Sequence, residues 1–421
     1  MRISTNAIYD SGIRAMQQQT EKLMQVQQQI ASGRRILTPA DDPVAAARVL
    51  DVSQSQALNQ QYATNGAAAG DSLTAEESVL GNISTLLQDV RDAVLGAGNP
   101  TLNQSDRAAM AGALRGRYQE LLGLANSTDG GGQYLFSGYQ GGIRPFSELA
   151  PGMVAYAGDQ GQRLIQISPS RQIAVSDSGV DVFQRIPSGN GSFATEAAAN
   201  NVGSGVIDVG SVVDPIKWNA AGNSRDYTVK FAVSGGATTY DVVDNVSGIS
   251  MLTGLAPGAA PYPRAYAGSG SIDLSQAGPP AFDVGARIGI SGAPADGDSF
   301  TVKASASQDV FKTISDLVQL LQTSPGGAGL TNGLASAQRN LENAMENVLT
   351  LRTATGVRLK ELDSVKGAGD DRALQYSQTL SNLQDLDYAK AASELAQQQV
   401  NLEAAQKSFV KVAGLSLFNY L

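Results

Sequence analysis

The stretch YAKAASELAQQQVNLEAAQKSFVKV, residues 388–412, decides the fold. Tyr388, Leu395, Leu402 and Phe409 recur in it every seven residues, with Ala391, Ala405 and Val412 in the companion row. An apolar repeat of seven keeps one helix face turned toward a partner helix and winds the pair left-handed. Ile13, Met16, Leu23 and Ile30 form a similar stripe near the other end of the chain. The two ends therefore read as helical halves of one coiled-coil stalk, with everything unlike a stalk between them.

Reading inward from each end extends the pattern. A first helix is predicted from Asn6 to Ser32 and stops at Gly33, a residue suited to the left-handed helix cap. In the connector that follows, Asp42 is placed to cap the next helix, while Pro43 takes its first turn, where a missing N–H costs nothing. Asp41 is expected to face Arg34 or Arg35. Leu73, Leu80, Leu87 and Val94, seven apart with Ile83 and Val90 beside them, predict a second helix over Val44 to Leu95, loosened at Gly66 and Gly70. A third is predicted over Asp106 to Asn126. From Asp129 to Ser307 the chain turns to Gly, Pro, Ser and short alternating runs, such as Leu164–Ile167, Ile173–Val175, Tyr227–Val233, Tyr240–Val243 and Ser299–Val302. Ser234-Gly235-Gly236 reads as a hairpin turn between two of them. Helix resumes near Gln308, pauses at Pro325–Gly329, and runs from Leu334 to Lys366. Gly367–Gly369 are expected to break it before a terminal helix begins near Asp371.

This order predicts an α+β fold: an elongated helical coiled-coil stalk formed by both chain ends, with β-rich domains inserted at its far end. Residues 1–40 and 370–421 form its terminal coiled coil, and 41–146 with 308–369 a helical bundle core. Residues 147–307 are a β-rich insertion with a seam near 187–205.

Composition narrows the chemistry. The chain contains no cysteine and no histidine, which removes thiolate nucleophiles, zinc–thiolate sites, disulfides and imidazole bases or ligands. A carboxylate-based or Ser-Lys enzyme stays open. With 30 Lys+Arg against 39 Asp+Glu and a net charge of -9, the chain lacks the basic face that nucleic-acid binding requires. No run approaches the roughly 20 apolar residues of a membrane span, and no signal-peptide core follows Met1. The expectation is no nucleic acid, no membrane insertion, no cofactor, no metal, and export by a route that leaves the N-terminus uncut.

The remaining candidates have structural readings. Asp41 with Asp42, and Asp370 with Asp371, read as helix-end carboxylates rather than acid/base pairs. Gly130–Gly132 lack the Lys-Ser/Thr of a phosphate loop and read as a connector. Trp218 with Tyr227, or Tyr262 with Tyr266, read as core aromatics, a sugar platform being the alternative. The glutamine clusters 17–19, 27–29 and 397–399 read as side-chain hydrogen bonding between packed helices.

Two blocks then carry a resemblance. Gln29-Ile30-Ala31-Ser32-Gly33-Arg34-Arg35-Ile36 with Thr38-Pro39-Ala40-Asp41-Asp42-Pro43, and Asp387-Tyr388-Ala389 with the ending Gly414-Leu415-Ser416-Leu417-Phe418, resemble the flagellin superfamily of bacterial flagellar axial proteins. The opening Met1-Arg2-Ile3-Ser4-Thr5, the Asp41-Asp42-Pro43 step and residues Asp129 to Tyr139 resemble its junction members more than filament flagellin. The resemblance covers about residues 1–146 and 308–421. It implies a secreted, extracellular structural subunit, not an enzyme, that joins the hook side to the filament and serves as the base for flagellin polymerisation. The implied partners are other copies in a ring, the hook-side junction protein, filament flagellin and an export chaperone at the C-terminal helix. Export by the flagellar type III route follows from the same resemblance. The implied assembly interface is Ile13, Met16, Leu23, Ile30, Tyr388, Leu395, Leu402, Phe409 and Val412. The connector motif is Gly33, Arg34, Arg35, Asp41, Asp42 and Pro43. A minor filament flagellin, a glycan-acting domain on a secreted coiled coil and a non-flagellar adhesin are the competing readings.

Overall fold

The computed structural model describes residues 5–414, with side-chain surroundings for residues 9–411. Six long helices carry the two ends: α1 (Thr5–Ser32), α2 (Pro43–Ala97), α3 (Gln104–Ala125), α4 (Val310–Thr323), α5 (Gly327–Gln384) and α6 (Tyr388–Gly414). The middle is β-rich. Its longer strands are β1 (Phe146–Ala150), β2 (Met153–Tyr156), β3 (Leu164–Ser168), β4 (Arg171–Ala174), β5 (Phe193–Ala197), β6 (Asp226–Ser234), β7 (Ala237–Asp244), β8 (Ser269–Gln276), β9 (Phe282–Ser291) and β10 (Ser299–Ala304). The α+β reading, helical ends around a β-rich centre, is what the chain adopts. It divides into two compact units: Met1–Gly66, Ile167–Ser170 and Asp363–Leu421 in one, Ala67–Gln166 and Arg171–Leu362 in the other.

The larger unit holds two separate cores. In the first, Leu80, Ile83, Leu87, Val90 and Val94 of α2 pack with Leu114, Tyr118 and Leu121 of α3, Phe311 and Ile314 of α4, and Leu341 and Val348 of α5. The heptad rows read from the sequence are the rows that bury. Phe146, Val154, Val182, Phe183 and Ile186 belong to this same core, so the early part of the expected insertion contributes side chains to the helical core. Phe183 stacks on Phe311 with centroids 5.5 Å apart, and Phe136 meets Phe183 edge-on at 5.4 Å.

The second core begins at Phe193 and is built mainly from strands, with Trp218 of the short helix Pro215–Trp218 and Leu252 of a turn added. One sheet places β7, β6, β10 and β5 side by side, all antiparallel. A second pairs β8 with β9. Ser234 faces Ala237 across the β6–β7 hairpin, leaving Gly235 and Gly236 as a two-residue turn with φ +60° and +81°. That pair of positive angles is the type I′ turn, which glycine enters without strain. Trp218 is 2% exposed and lies 5.2 Å from Phe193. Tyr227 is also buried, so the pair is core and offers no sugar platform.

Three expectations about the helices need correction. Gly367–Gly369 do not break α5, which runs unbroken from Gly327 to Gln384. The two glycines, Gly367 and Gly369, cost about 1 kcal/mol each against alanine, which tertiary support offsets: Asn59 Nδ2 donates to the Gly369 carbonyl at 2.9 Å. Asp370 and Asp371 consequently lie inside a helix, and the terminal helix starts at Tyr388. Gly66 and Gly70 likewise lie within continuous helix.

The larger unit also buries a charge cluster that no local pattern announced. Arg358 donates two bonds to Asp177, 2.9 and 3.1 Å long. The backbone N–H of Asp177 donates to Glu76 Oε1 at 2.9 Å, and Gln162 donates to Asp177 Oδ1 at 2.7 Å. Glu76 is 0% exposed and its Oε2 has no protein partner. Burial, reinforced by the neighbouring Asp177 charge, pushes the Glu76 carboxyl up to about 8, with Arg358 and Arg163 opposing. A carboxyl raised this far above its ordinary 4.5 holds a proton in the folded state that the unfolded chain has released. Stability should therefore be highest below that ordinary value and decline as pH rises toward 8. Denaturant unfolding of Glu76→Gln beside the parent, from about pH 5 to about pH 9, is expected to show the variant gaining relative stability as pH rises. A pH-independent difference would contradict this assignment.

Candidate assembly surface at the chain ends

The smaller unit is built from α1, the first part of α2, the last part of α5, and α6. α1 and α6 pair antiparallel. In α1 the inward positions, by burial, are Tyr9, Gly12, Met16, Gln19, Leu23, Val26, Ile30 and Gly33, alternating three and four apart. In α6 they are Ala391, Leu395, Gln398, Leu402, Ala405 and Phe409. This alternation is the heptad seam of a left-handed coiled coil.

The predicted interface residues fall unevenly on it. Met16, Leu23, Ile30, Leu395, Leu402 and Phe409 all lie in the seam. Ile13 is one residue off it and 42% exposed. Tyr388 is 59% exposed, although its hydroxyl lies over Gly33. Val412 lies within α6, but its side chain is outside the described residues, as are Leu415 to Phe418. The sequence reading missed Val26, the best buried residue of α1 at 6%. It also missed Gly12, which an apolar count passes over but the four-and-three alternation extended from Met16 could have found. The reading of the glutamine clusters 17–19 and 397–399 as hydrogen bonding between packed helices holds at Gln19, whose amide donates to Gln398.

The connector has a definite internal logic. Gly33 adopts φ +69°, the left-handed cap conformation that ends α1. Its carbonyl accepts from the Leu386 N–H at 3.0 Å, and Arg35 N–H donates to the Gln384 carbonyl at 2.7 Å. Arg34 forms an antiparallel bridge with Asp385. The α1–α2 and α5–α6 connectors are thereby stitched together by backbone bonds.

Asp42 caps α2, accepting from Ala45 N–H at 3.0 Å, and Pro43 is the first residue of that helix. Asp42 also pairs with Arg35 at 3.2 Å, an exposed contact that contributes little on its own. Asp41 faces neither Arg34 nor Arg35, contrary to expectation. One of its oxygens accepts the backbone N–H groups of Leu37 and Thr38 at 3.0 and 2.8 Å, and the other accepts from Gln25 at 3.0 Å. Backbone donors hold both carboxyls below their ordinary range, Thr38 chiefly for Asp41 and Ala45 chiefly for Asp42, with Arg35 assisting at Asp42. Both are therefore charged structural acceptors. Asp387 repeats the device at the start of α6, accepting from Lys390 N–H at 3.1 Å.

The smaller unit buries few large side chains. Among the described residues its fully buried hydrophobics are Val26, Ala45, Ile167, Leu380 and Ala391. Ile13, Met24, Val44, Leu50, Leu58, Leu374, Tyr388, Val400 and Val410 are exposed. Such a surplus of exposed apolar side chains suits a surface that docks to other chains.

Comparison with known proteins agrees with this geometry. Residues 3–141 match the family described as the bacterial flagellin N-terminal helical region. Flagellar hook-associated protein 3 of Escherichia coli K12 is 28% identical over 418 residues, which is 99% of both chains. The crystal structure of the flagellar junction protein FlgL from Legionella pneumophila superposes with a TM-score of 0.68 at 27% identity, covering 80% of this chain and 100% of that one. Polar flagellin F of Vibrio parahaemolyticus is more distant, 23% identical over 402 residues, 94% of this chain and 93% of the relative. This chain is thus similar over nearly its full length to flagellar hook-associated protein 3, with residues 3–141 matching the flagellin N-terminal helical region.

Proposed function

We propose that this chain is a structural subunit of the bacterial flagellum that joins the hook side to the filament and forms the base on which flagellin polymerises. The observation that carries the reading is the match to hook-associated protein 3 along 99% of both chains. The chain ends supply its physical support. Burying one large aliphatic side chain contributes about 1.5–3 kcal/mol, whereas ordering a residue's backbone costs roughly 1–2 kcal/mol. A unit with so few buried hydrophobics is marginal alone and gains stability when its exposed apolar residues meet neighbours. Folding of the chain ends is then coupled to assembly.

In this reading the neighbours are other copies in a ring, the hook-side junction protein below and filament flagellin above. The assembly contacts combine the α1–α6 seam with its flanking exposed residues. The subunit is exported through the flagellar type III channel, and the C-terminal helix is the segment an export chaperone holds. The role is structural: the relatives are named as flagellar parts, and the acidic groups at the connector are occupied in capping. A second reading, a minor filament flagellin, draws on the likeness to polar flagellin F. Copy number separates the two, because a junction needs few subunits and a filament very many.

With its secreted amount matched to the parent's, because the deleted helix is also the proposed chaperone segment, a chain lacking residues 388–421 is expected to leave cells with hooks but no filaments. Normal filaments on such cells would overturn the proposal. Point changes grade the same interface. Leu402 is half-buried in the seam, so Leu402→Ala should cost about 1–2 kcal/mol, below the range of a fully buried leucine. Asp42→Ala removes an exposed cap and should cost less. With secreted amounts matched, Leu402→Ala is expected to shed filaments under shear more readily than Asp42→Ala. The reverse order would make the connector, not the seam, the working contact.

A further inference from the structure

A heptad seam alone does not fix which layer meets which, because a slip of one heptad restores apolar against apolar and loses only the end layers. Three features of the α1–α6 pair are not repeated every seven residues. At one end Phe409 fills the space over Gly12, where a Cβ would lie 2.7 Å from Cδ2 and 3.0 Å from Cε2. Tyr9 closes on the same ring edge-on, with centroids 5.7 Å apart. At the other end the Tyr388 hydroxyl lies 3.0 Å from where a Cβ on Gly33 would stand. Gly12 and Gly33 are three heptads apart, and so are Tyr388 and Phe409. Between these notches the Gln19 amide donates to the Gln398 side-chain oxygen, part-buried in an otherwise apolar seam.

We propose that the two glycine notches and the Gln19–Gln398 pair encode the register of this helix pairing. They make the two ends of this chain specific for each other against slipped or foreign heptad helices. A one-heptad slip in one direction sets Phe409 against Gln19 and Tyr388 against Ala40. The opposite slip sets Tyr388 against Val26 and Gln398 against Gly12. Either slip drives an aromatic ring into a position that carries a side chain and strands both amides among groups that cannot bond them. A polar residue at a seam position selects one register at some cost in stability, and a hole at each end adds steric selection. The native register is also the one that brings Arg34 to its bridge with Asp385.

The test uses the full chain, in which introduced thiols are unambiguous because it has no cysteine. Arg34→Cys with Asp385→Cys places a thiol pair at the bridge, where antiparallel neighbours lie within disulfide reach. In the oxidised protein the helices start in the native offset, and thermal loss of their helical signal reads the pairing. Helix propensity alone makes alanine better than glycine at an interior position, so Gly12→Ala without a notch would raise the melting point. The proposal requires that it fall, and that the loss vanish when Phe409→Ala is already present. Gln19→Leu and Gln398→Leu should each lower the melting point singly and restore it together. In the reduced protein the double leucine chain should form the intramolecular disulfide several-fold more slowly and divert thiols to interchain bonds. A higher melting point for Gly12→Ala, or parental disulfide rate and monomeric product for the double leucine chain, would overturn the proposal.

Discussion

Two helices drawn from opposite ends of a 421-residue chain meet along one antiparallel seam, and that seam is the constraint on which the ends of this protein depend. Closing so long a loop is less costly than its length suggests, because each doubling adds only about 0.6 kcal/mol of closure entropy, and the helices and strands between fold on cores of their own. What the seam lacks is depth. Val26 and Ala391 are its fully buried members among the described residues, while larger seam residues such as Leu23, Leu395 and Leu402 stay half-buried. A pairing of this kind is correct in geometry and thin in energy.

The larger unit follows the opposite design. Its helical core combines four helices with the aromatic cluster of Phe136, Phe146, Phe183 and Phe311. Its strand core closes on itself from Phe193 to Val302. The buried Asp177–Arg358 pair with Glu76 ties α2, α5 and the segment after β4 at one point. Breaking such a pair by removing one partner costs more than never having built it, so the cluster acts as a demand for one arrangement. The strand core draws none of its buried apolar members from the helical one, but Asn332 of α5 ties the two through buried bonds to Ile207 N–H and the Gly205 carbonyl.

Periodicity made the helices legible. Leu73, Leu80, Leu87 and Val94 lie seven apart, and all bury. The β6–β7 turn was equally plain, since Gly-Gly between two alternating runs has one economical conformation. Errors arose where residue type and role part company. Ile13 is apolar yet outward, while Gly12 carries no side chain yet sits in the seam. Gly367–Gly369 read as a stop because propensity is local, whereas Asn59 supports them from another helix. Glu76 gives no sign in sequence that it is buried, because its neighbours in space, Asp177 and Arg358, are distant along the chain. The connector was read correctly at Asp42 and incorrectly at Asp41, whose partners are the backbone N–H groups of Leu37 and Thr38 and the Gln25 amide rather than an arginine.

On the proposed function, this subunit occupies one short zone between hook and filament, where its marginal ends are completed by neighbours. Immunogold labelling of flagella on intact cells, with antibodies raised against residues 193–304, tests this most directly. The account predicts a single cluster of label at the base of each filament, just beyond the hook. Label distributed along whole filaments, or none on flagella at all, would contradict it.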